Sequence, residues 1–334
     1  MTLNAGAVVS DGDLRQSLSD RYLELILLPT EQCNFRCTYC YEDFKLGRMH
    51  DDVISGVKRL IENRIGSLEL LRLSWFGGEP LAAKDIIFDI TKHAQSFAMD
   101  TGANCSIRGN MTTNGYFLDL NTARQLWGLG VDTFQISLDG VGAVHNATRK
   151  RMNGGETFDK IWSNLCAIKH SDLNINIVIR MHYHPTNVND IEPLIELVGT
   201  TFSGDHRFKA NLQTIQHKGG ENDAIFPVFS WKEAQVIDNR LRDRLCKHWK
   251  LDNYENPTMC YAARANSFLI RSNGQVSKCT VAMRDDRNNI GHIDKDGALS
   301  INNEKFHNWI AGIANTSAQF AACPLSVIKK MPRS

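Results

Sequence analysis

Cys33, Cys37 and Cys40 stand at a C-x3-C-x2-C spacing inside one short stretch. Thiolates are soft ligands that suit iron–sulfur clusters or zinc. Three of them on one loop can wrap a cubane cluster and leave its fourth iron without a protein ligand, the opening that a catalytic cluster needs. Structural zinc sites usually close with four ligands at C-x2-C spacing, so ligand number favours the cluster and zinc is the competing reading. Three more cysteines, Cys260, Cys279 and Cys323, lie near the end of the chain. Cys246 falls on a charged helical stretch, where it reads as a packed thiol or as a fourth ligand to that second set. Cys105 and Cys166 read as core, and the eleven histidines form no metal pair at helical or finger spacing. His182-x-His184 follows a candidate strand and is placed to line a site mouth.

The elements that must position these residues alternate. Candidate strands cover Leu23–Leu28, Leu70–Trp75, Cys105–Thr112, Thr133–Leu138, Ile175–His182 and Phe208–Ile215. Amphipathic stretches at 3.6-residue spacing lie between them: Asp51–Arg64, Asp85–Thr101, Asn121–Leu129, Phe158–Lys169 and Ile191–Thr200. Such alternation implies βαβ units and a parallel sheet, open or closing into an incomplete barrel. Ligands gather at the carboxyl ends of parallel strands. The cysteine loop, Gly77–Pro80, Thr113–Gly115 and Asp139–Gly140 each follow a strand and should meet at one mouth.

After the Gly-rich connection Lys218–Glu221 the pattern changes. Ser230–Trp249 reads as a charged helix with Trp231, Ala234, Ile237, Leu241 and Leu245 on one side. Ser267–Arg271, a Ser272-Asn273-Gly274 turn and Gln275–Cys279 read as a β-hairpin. The expected organisation is an extension over 1–21, the α/β domain over 22–220, a linker and bridging helix over 221–256, and a small domain over 257–334.

The chain has 334 residues, with 38 basic against 37 acidic side chains. That balance gives no electrostatic reason to expect a nucleic-acid partner. No secretory signal opens the chain and no apolar run reaches the roughly 18 residues of a spanning helix. The expectation is a cytoplasmic protein without a membrane partner. In a reducing compartment, clustered cysteines bind metal more often than they form disulfides.

Cys33-Asn-Phe-Arg-Cys37-Thr-Tyr-Cys40 resembles the signature of the radical S-adenosylmethionine superfamily, including the aromatic residue before the last cysteine. The resemblance implies a partial (β/α)6 TIM-like barrel. It also implies a [4Fe–4S] cluster on Cys33, Cys37 and Cys40 whose open iron chelates S-adenosylmethionine, and reductive cleavage of that cofactor to a 5′-deoxyadenosyl radical. Trp75-Phe-Gly-Gly-Glu-Pro80 is similar to the family's second-strand motif, which implies that Gly77, Gly78 and Glu79 hold the methionine ammonium beside Pro80. By the same resemblance, Thr113, Asn114, Ser137 and Arg180 touch the cofactor and Tyr39 lies near the adenine. Cys260, Gly274 and Cys279 resemble the opening of an auxiliary-cluster (SPASM, or shortened twitch) domain. Only Cys323 follows, so one auxiliary [4Fe–4S] cluster on Cys260, Cys279 and Cys323 is implied.

The motif set resembles the peptide-modifying branch, which implies a maturase that installs a crosslink in a ribosomally made precursor peptide. Flavodoxin or ferredoxin would supply electrons. The winged-helix leader-binding domain of some such maturases is not visible, which implies leader recognition within the barrel, on the Gly-rich connection or by a separate protein. Other readings are a sulfatase-maturase-like enzyme making formylglycine, a peptide epimerase and, ranked lower, a molybdopterin-pathway cyclase. A scaffold carrying dead clusters would have no need of the Gly-Gly-Glu stretch.

Overall fold

Strand follows helix in the order expected from the sequence in the computed structural model of the chain, which describes residues 10–249, 259–314 and 318–330. A short helix α1 (Asp11–Leu18), capped by the Ser10 side chain, leads into β1 (Tyr22–Leu27). The loop leaving β1 carries the cysteines and holds a short strand, β2 (Phe35–Cys37). Then come α2 (Asp51–Ile65), β3 (Leu70–Trp75), α3 (Lys84–Thr101), β4 (Ser106–Thr113), α4 (Leu120–Gly128) and β5 (Val131–Leu138). They are followed by α5 (Ala143–Thr148), β6 (Arg149–Arg151), α6 (Phe158–Lys169), β7 (Asn176–Tyr183), α7 (Ile191–Phe202) and β8 (Phe208–Thr214). The strands β1, β3, β4, β5, β7 and β8 pair in parallel in that order, the six-stranded partial barrel.

Period-two patterning explains which face each strand buries. Ile177, Ile179 and Met181 of β7 and Phe208, Ala210 and Leu212 of β8 are buried against the helical layer, where Leu165, Ile195 and Val198 meet them in one core. The alternate residues Val178 and Arg180, and Asn211 and Gln213, are only partly covered. The helices end as their sequences dictate. Gly102 takes a left-handed conformation (φ 65°) and returns its N–H to the carbonyls of Ala98 and Met99 to stop α3. Ser230 and Glu233 form a capping box at the start of α8 (Trp231–Leu245). Along α8, Ala234, Leu241 and Leu245 are buried as expected, but Trp231 is 49% exposed and so lies outside the core. Residues 250–256 of the expected linker lie outside the described residues.

The expected hairpin forms as β9 (Ser267–Ile270) and β10 (Gln275–Ser277), and it joins the barrel's own sheet. β9 lies parallel to β1, with Glu24 opposite Ser267. β10, β11 (Asn289–Ile293) and β12 (Leu299–Ile301) continue antiparallel to the edge of a ten-stranded sheet. Helices α9 (Asn303–Ala314), α10 (Ala318–Ala322) and α11 (Pro324–Ile328) pack beside them. A buried ion pair fixes the hairpin turn to the cysteine loop. Arg271 donates to Glu31 through Nε (3.2 Å) and Nη2 (2.6 Å), and Ser272 adds its N–H and hydroxyl.

One close approach couples α2 to the C-terminal strands. A Cβ on Gly56 would stand 2.1 Å from the Asp294 carbonyl oxygen, whereas one on Gly66 would meet nothing within 4 Å. Gly56→Ala should therefore lower stability by roughly 1–3 kcal/mol, the cost of overpacking. Gly66→Ala should not, and urea unfolding of the two variants checks the contrast.

Candidate active site

The motifs that follow the strands do meet. A cavity of about 260 Å³ at the carboxyl ends is bordered by Cys33, Cys37, Cys40 and Tyr39 from the first loop and by Gly77 and Gly78 from the second. Thr113 and Asn114 from the third, and Ser137 and Arg180 on β5 and β7, complete the predicted set. Ser137 and Arg180 are cross-strand partners, and Arg180 donates to Gln213 of β8 at 2.8 Å. Among the described residues no three His, Cys, Asp or Glu side chains are gathered closely enough for a single metal ion. The three thiols border one cavity, and soft thiolates are the ligands an iron–sulfur cluster takes. Burial pushes all three thiols up, Cys40 to about 12. Burial thus disfavours the thiolate form in the free chain, and a bound metal would favour it.

Glu79 of the second motif is tied to its own turn and to the third motif. Its carboxylate is fully buried and accepts from Leu81 N–H (3.0 Å), the Thr113 hydroxyl (2.7 Å) and Asn114 N–H (2.8 Å). Asn114 in turn donates its side-chain amide to Asn34 at 2.8 Å, with Cys33 Sγ at 3.9 Å. Glu79 thus positions the third loop against the cysteine loop. Pro80 is buried and opens the short turn that follows. The two glycines are needed for close approach. A Cβ on Gly77 (φ 121°) would fall 2.3 Å from the Thr30 carbonyl oxygen, and one on Gly78 would fall 2.5 Å from that of Gln32.

A buried polar knot backs the middle cysteine. β2 pairs antiparallel with β6, placing Cys37 opposite Arg149. Arg149 donates to the Tyr39 hydroxyl (2.8 Å), which donates to Asp139 (3.0 Å) and lies 3.1 Å from His182 Nδ1. Thr148 also donates to Asp139, at 2.7 Å. Burial alone would raise the Asp139 carboxyl, but the His182 hydrogen bond and the Arg149 charge outweigh it and hold it well below the usual range. Sequence reading missed Arg149, because nothing in Arg149-Lys-Arg announces a strand that pairs with the cysteine loop. It took Asp139 only as part of a motif. His184, expected at the mouth, is instead fully buried behind Tyr39.

Across the cavity stands the second cysteine set. Burial pushes the Cys260 and Cys279 thiols up, with the neighbouring Cys323 adding to both, and Thr280 and Val281, which follow Cys279, border the same cavity. Cys246 is exposed at the C-terminal cap of α8. Tyr41 lies between the two sets, feeling both Cys40 and Cys279, with the Lys218 amine 6.0 Å from its ring. Gly220 explains how the Gly-rich connection reaches this point. At φ 141°, a Cβ there would meet the Cys40 carbonyl oxygen at 2.4 Å.

Fold and site together define an α/β partial-barrel enzyme with a three-cysteine loop at the carboxyl ends of its strands. The Radical SAM superfamily profile matches residues 27–198, and the chain belongs to that superfamily. Its members use a [4Fe–4S] cluster and S-adenosylmethionine. The chain is 21% identical to the PqqA peptide cyclase of Bradyrhizobium diazoefficiens over 276 residues, 78% of this chain and 67% of that one. It is 23% identical to the GTP 3′,8-cyclase of Microcystis aeruginosa, covering 83% of this chain and 84% of the relative. Among solved structures, anSMEcpe with bound AdoMet and the Cp18Cys peptide superposes with a TM-score of 0.63 at 19% identity, covering 92% of this chain and 86% of that one. Streptococcus suis SuiB superposes with a TM-score of 0.62 at 13% identity, covering 93% and 75%.

Two outcomes follow from this geometry. Glu79→Gln places an amide donor among three donors, so stability should fall by about 1–3 kcal/mol. AdoMet binding should weaken while iron content holds, and equilibrium dialysis with an iron count checks both. Burial also pushes His145, whose Nδ1 accepts from Asp139 N–H, down to about 3. The unfolded chain takes up that proton near pH 6.5 and the folded chain refuses it, so stability should drop as pH falls from about 7 to 5. His145→Asn should flatten the slope of the thermal midpoint against pH.

Proposed function

We propose that this enzyme abstracts hydrogen from a peptide and installs a crosslink in a ribosomally made precursor. The observation that carries the reading is the single cavity bordered by both the three-cysteine loop and the segment after Cys279. A reacting side chain seated there lies between two metal-binding sets. The relatives support the peptide class, since one is a PqqA peptide cyclase and SuiB has been solved with its precursor peptide SuiA.

In this reading Cys33, Cys37 and Cys40 hold the [4Fe–4S] cluster. Once bound, a reduced cluster there would supply the electron for cleavage of S-adenosylmethionine, the chemistry that yields a hydrogen-abstracting radical. Gly77, Gly78 and Glu79 would hold the cofactor's methionine ammonium, the two glycines allowing the backbone to approach closely. Glu79 sets Thr113 and Asn114 at the edge of the cofactor, Ser137 and Arg180 take its polar groups, and Tyr39 is held rigid by Arg149 and Asp139 beside it. Cys260, Cys279 and Cys323 would hold one auxiliary [4Fe–4S] cluster, a group able to take up an electron. Lys218 and Arg180 bring positive charge to the wall between the sets. Electrons come from a flavodoxin or ferredoxin, and any leader is read by the barrel or by a separate protein. The domain division is at 220 and 257, with the second part sharing the barrel's sheet.

Oxidation of a Cys or Ser to formylglycine is the second reading, favoured by the overlay on anSMEcpe. Anaerobic reconstitution, with iron counted and deoxyadenosine assayed, tests the core of the proposal. About eight irons per chain fit two cubane sites and about four fit one. Alanine at Cys33, Cys37 or Cys40 should abolish deoxyadenosine. Alanine at both Cys260 and Cys279 should remove about half the iron and block the product while deoxyadenosine still forms. Mass spectrometry of small peptides encoded beside the gene separates the readings. Loss of two hydrogens with a linked fragment marks a crosslink, and a new aldehyde marks formylglycine.

A further inference from the structure

Beneath the cluster cavity the barrel lumen is open and polar. A second cavity, of about 440 Å³, runs down the inner wall past Arg72, Arg108, Asn110, Asp132 and Gln135, and Thr112 borders both spaces. Closed parallel barrels fill this region with layers of branched apolar side chains. Here Arg72 and Arg108 are cross-strand neighbours. Arg108 faces Asp132 at 3.5 Å, with 61% of its side chain exposed. The Nε of Arg72 is buried with no hydrogen-bond partner. Glu24, cross-strand from Arg72, is already engaged, accepting from Ser74 at 2.9 Å and Ser267 at 3.4 Å with Arg264 at 4.0 Å.

A buried guanidinium nitrogen without an acceptor is costly, and native structures keep few of them. A ligand carboxylate in this cavity would bring an acceptor to a wall that carries two arginines. We infer that the lumen is the subsite for an acidic residue of the substrate peptide, whose carboxylate is received by Arg72 and Arg108. The guanidinium fork matches a carboxylate's two oxygens. Asn110, Thr112 and Gln135, at strand spacing above it, offer amide and hydroxyl groups to a peptide backbone. The inference rests on the peptide reading above and adds a sequence requirement to it. Thr112 and Arg108 are four residues apart on β4, about 13 Å at strand rise, and an extended peptide covers that in about four residues. The acidic residue therefore lies about four positions from the one that reacts at the cluster.

Fluorescein-labelled hexaglutamate and hexaglutamine, titrated against the cluster-loaded protein and followed by anisotropy at fixed salt, test this without turnover. Hexaglutamate should bind at least about tenfold tighter, and Arg72→Gln should remove most of that preference. The charge reversal Arg108→Glu, at the exposed rim, should weaken hexaglutamate and strengthen hexalysine, a gain that a misfolded protein would not show. Equal binding of the two acidic and neutral probes, or a preference that survives both substitutions, overturns the subsite. GTP binding that depends on Arg72 while hexaglutamate binding does not overturns it in favour of a nucleotide. A protein that binds hexaglutamate through Arg72 yet modifies no peptide keeps the acidic subsite and loses the peptide chemistry.

Discussion

The carboxylate of Glu79 is the constraint on which the geometry of the mouth depends. It is buried without a cationic partner in hydrogen-bond contact, and three donors satisfy it: one from its own turn and two from the loop after β4. Burial pushes its pKa up, and the three hydrogen bonds, with the Arg149 charge, oppose that and hold the group in place. Thr113 and Asn114 are therefore fixed to the Gly-Gly turn, and Asn114 reaches on to Asn34 and Cys33. The chain of contacts runs from the second motif through the third to the first. The thiols are placed by a network whose members lie on three strand-end loops.

A second tie reaches the same loop from the C-terminal side. Glu31, 1% exposed, lies two residues before Cys33 and is held by Arg271 and Ser272 of the hairpin turn. Removing one partner of a buried pair is far more disruptive than its net contribution suggests. With β9 hydrogen-bonded to β1 beneath it, the C-terminal strands hold the cysteine loop in place as well as carrying the second cysteine set. Lys278 shows how firmly they are built in. Its amine is buried between the rings of Phe268 and Phe306 and donates to the carbonyls of Arg264 and Ser267, so burial and not contact with water sets its state and draws it down to about 7.

What was legible in the sequence follows from this arrangement. Six strands and the helices between them carried their own periodicity, because each buries one face against the helical layer. The motif residues were legible by spacing and resemblance, since each sits on the loop after a strand. The contacts of Glu79 with Thr113 and Asn114 were not, because they join residues 34 and 35 positions apart and leave no local pattern. Arg149 was hidden for the same reason. Its partner strand is three residues long and distant in sequence, a pairing that leaves no local pattern. The parallel pairing of β9 with β1 was invisible on the same ground, and Trp231 was misjudged because helical spacing alone does not say where a helix's buried stripe ends.

The same periodicity explains how a barrel can be stable with a polar interior. Apolar residues of β4, β5, β7 and β8 face outward to the helices, and that interface is continuous and fully buried. The inner face then contributes little to the core, and nothing in the folding energetics requires it to be apolar. Its polar residues are free to be chosen for a ligand, which a packed interior would forbid. Stability on one face and recognition on the other share the same strands, and the period of two keeps them separate. The cluster loop closes the upper end of this space and the arginine pair lies lower on the same wall. Thr112 on β4 borders both this space and the cysteine-loop cavity, so the two spaces meet along one strand.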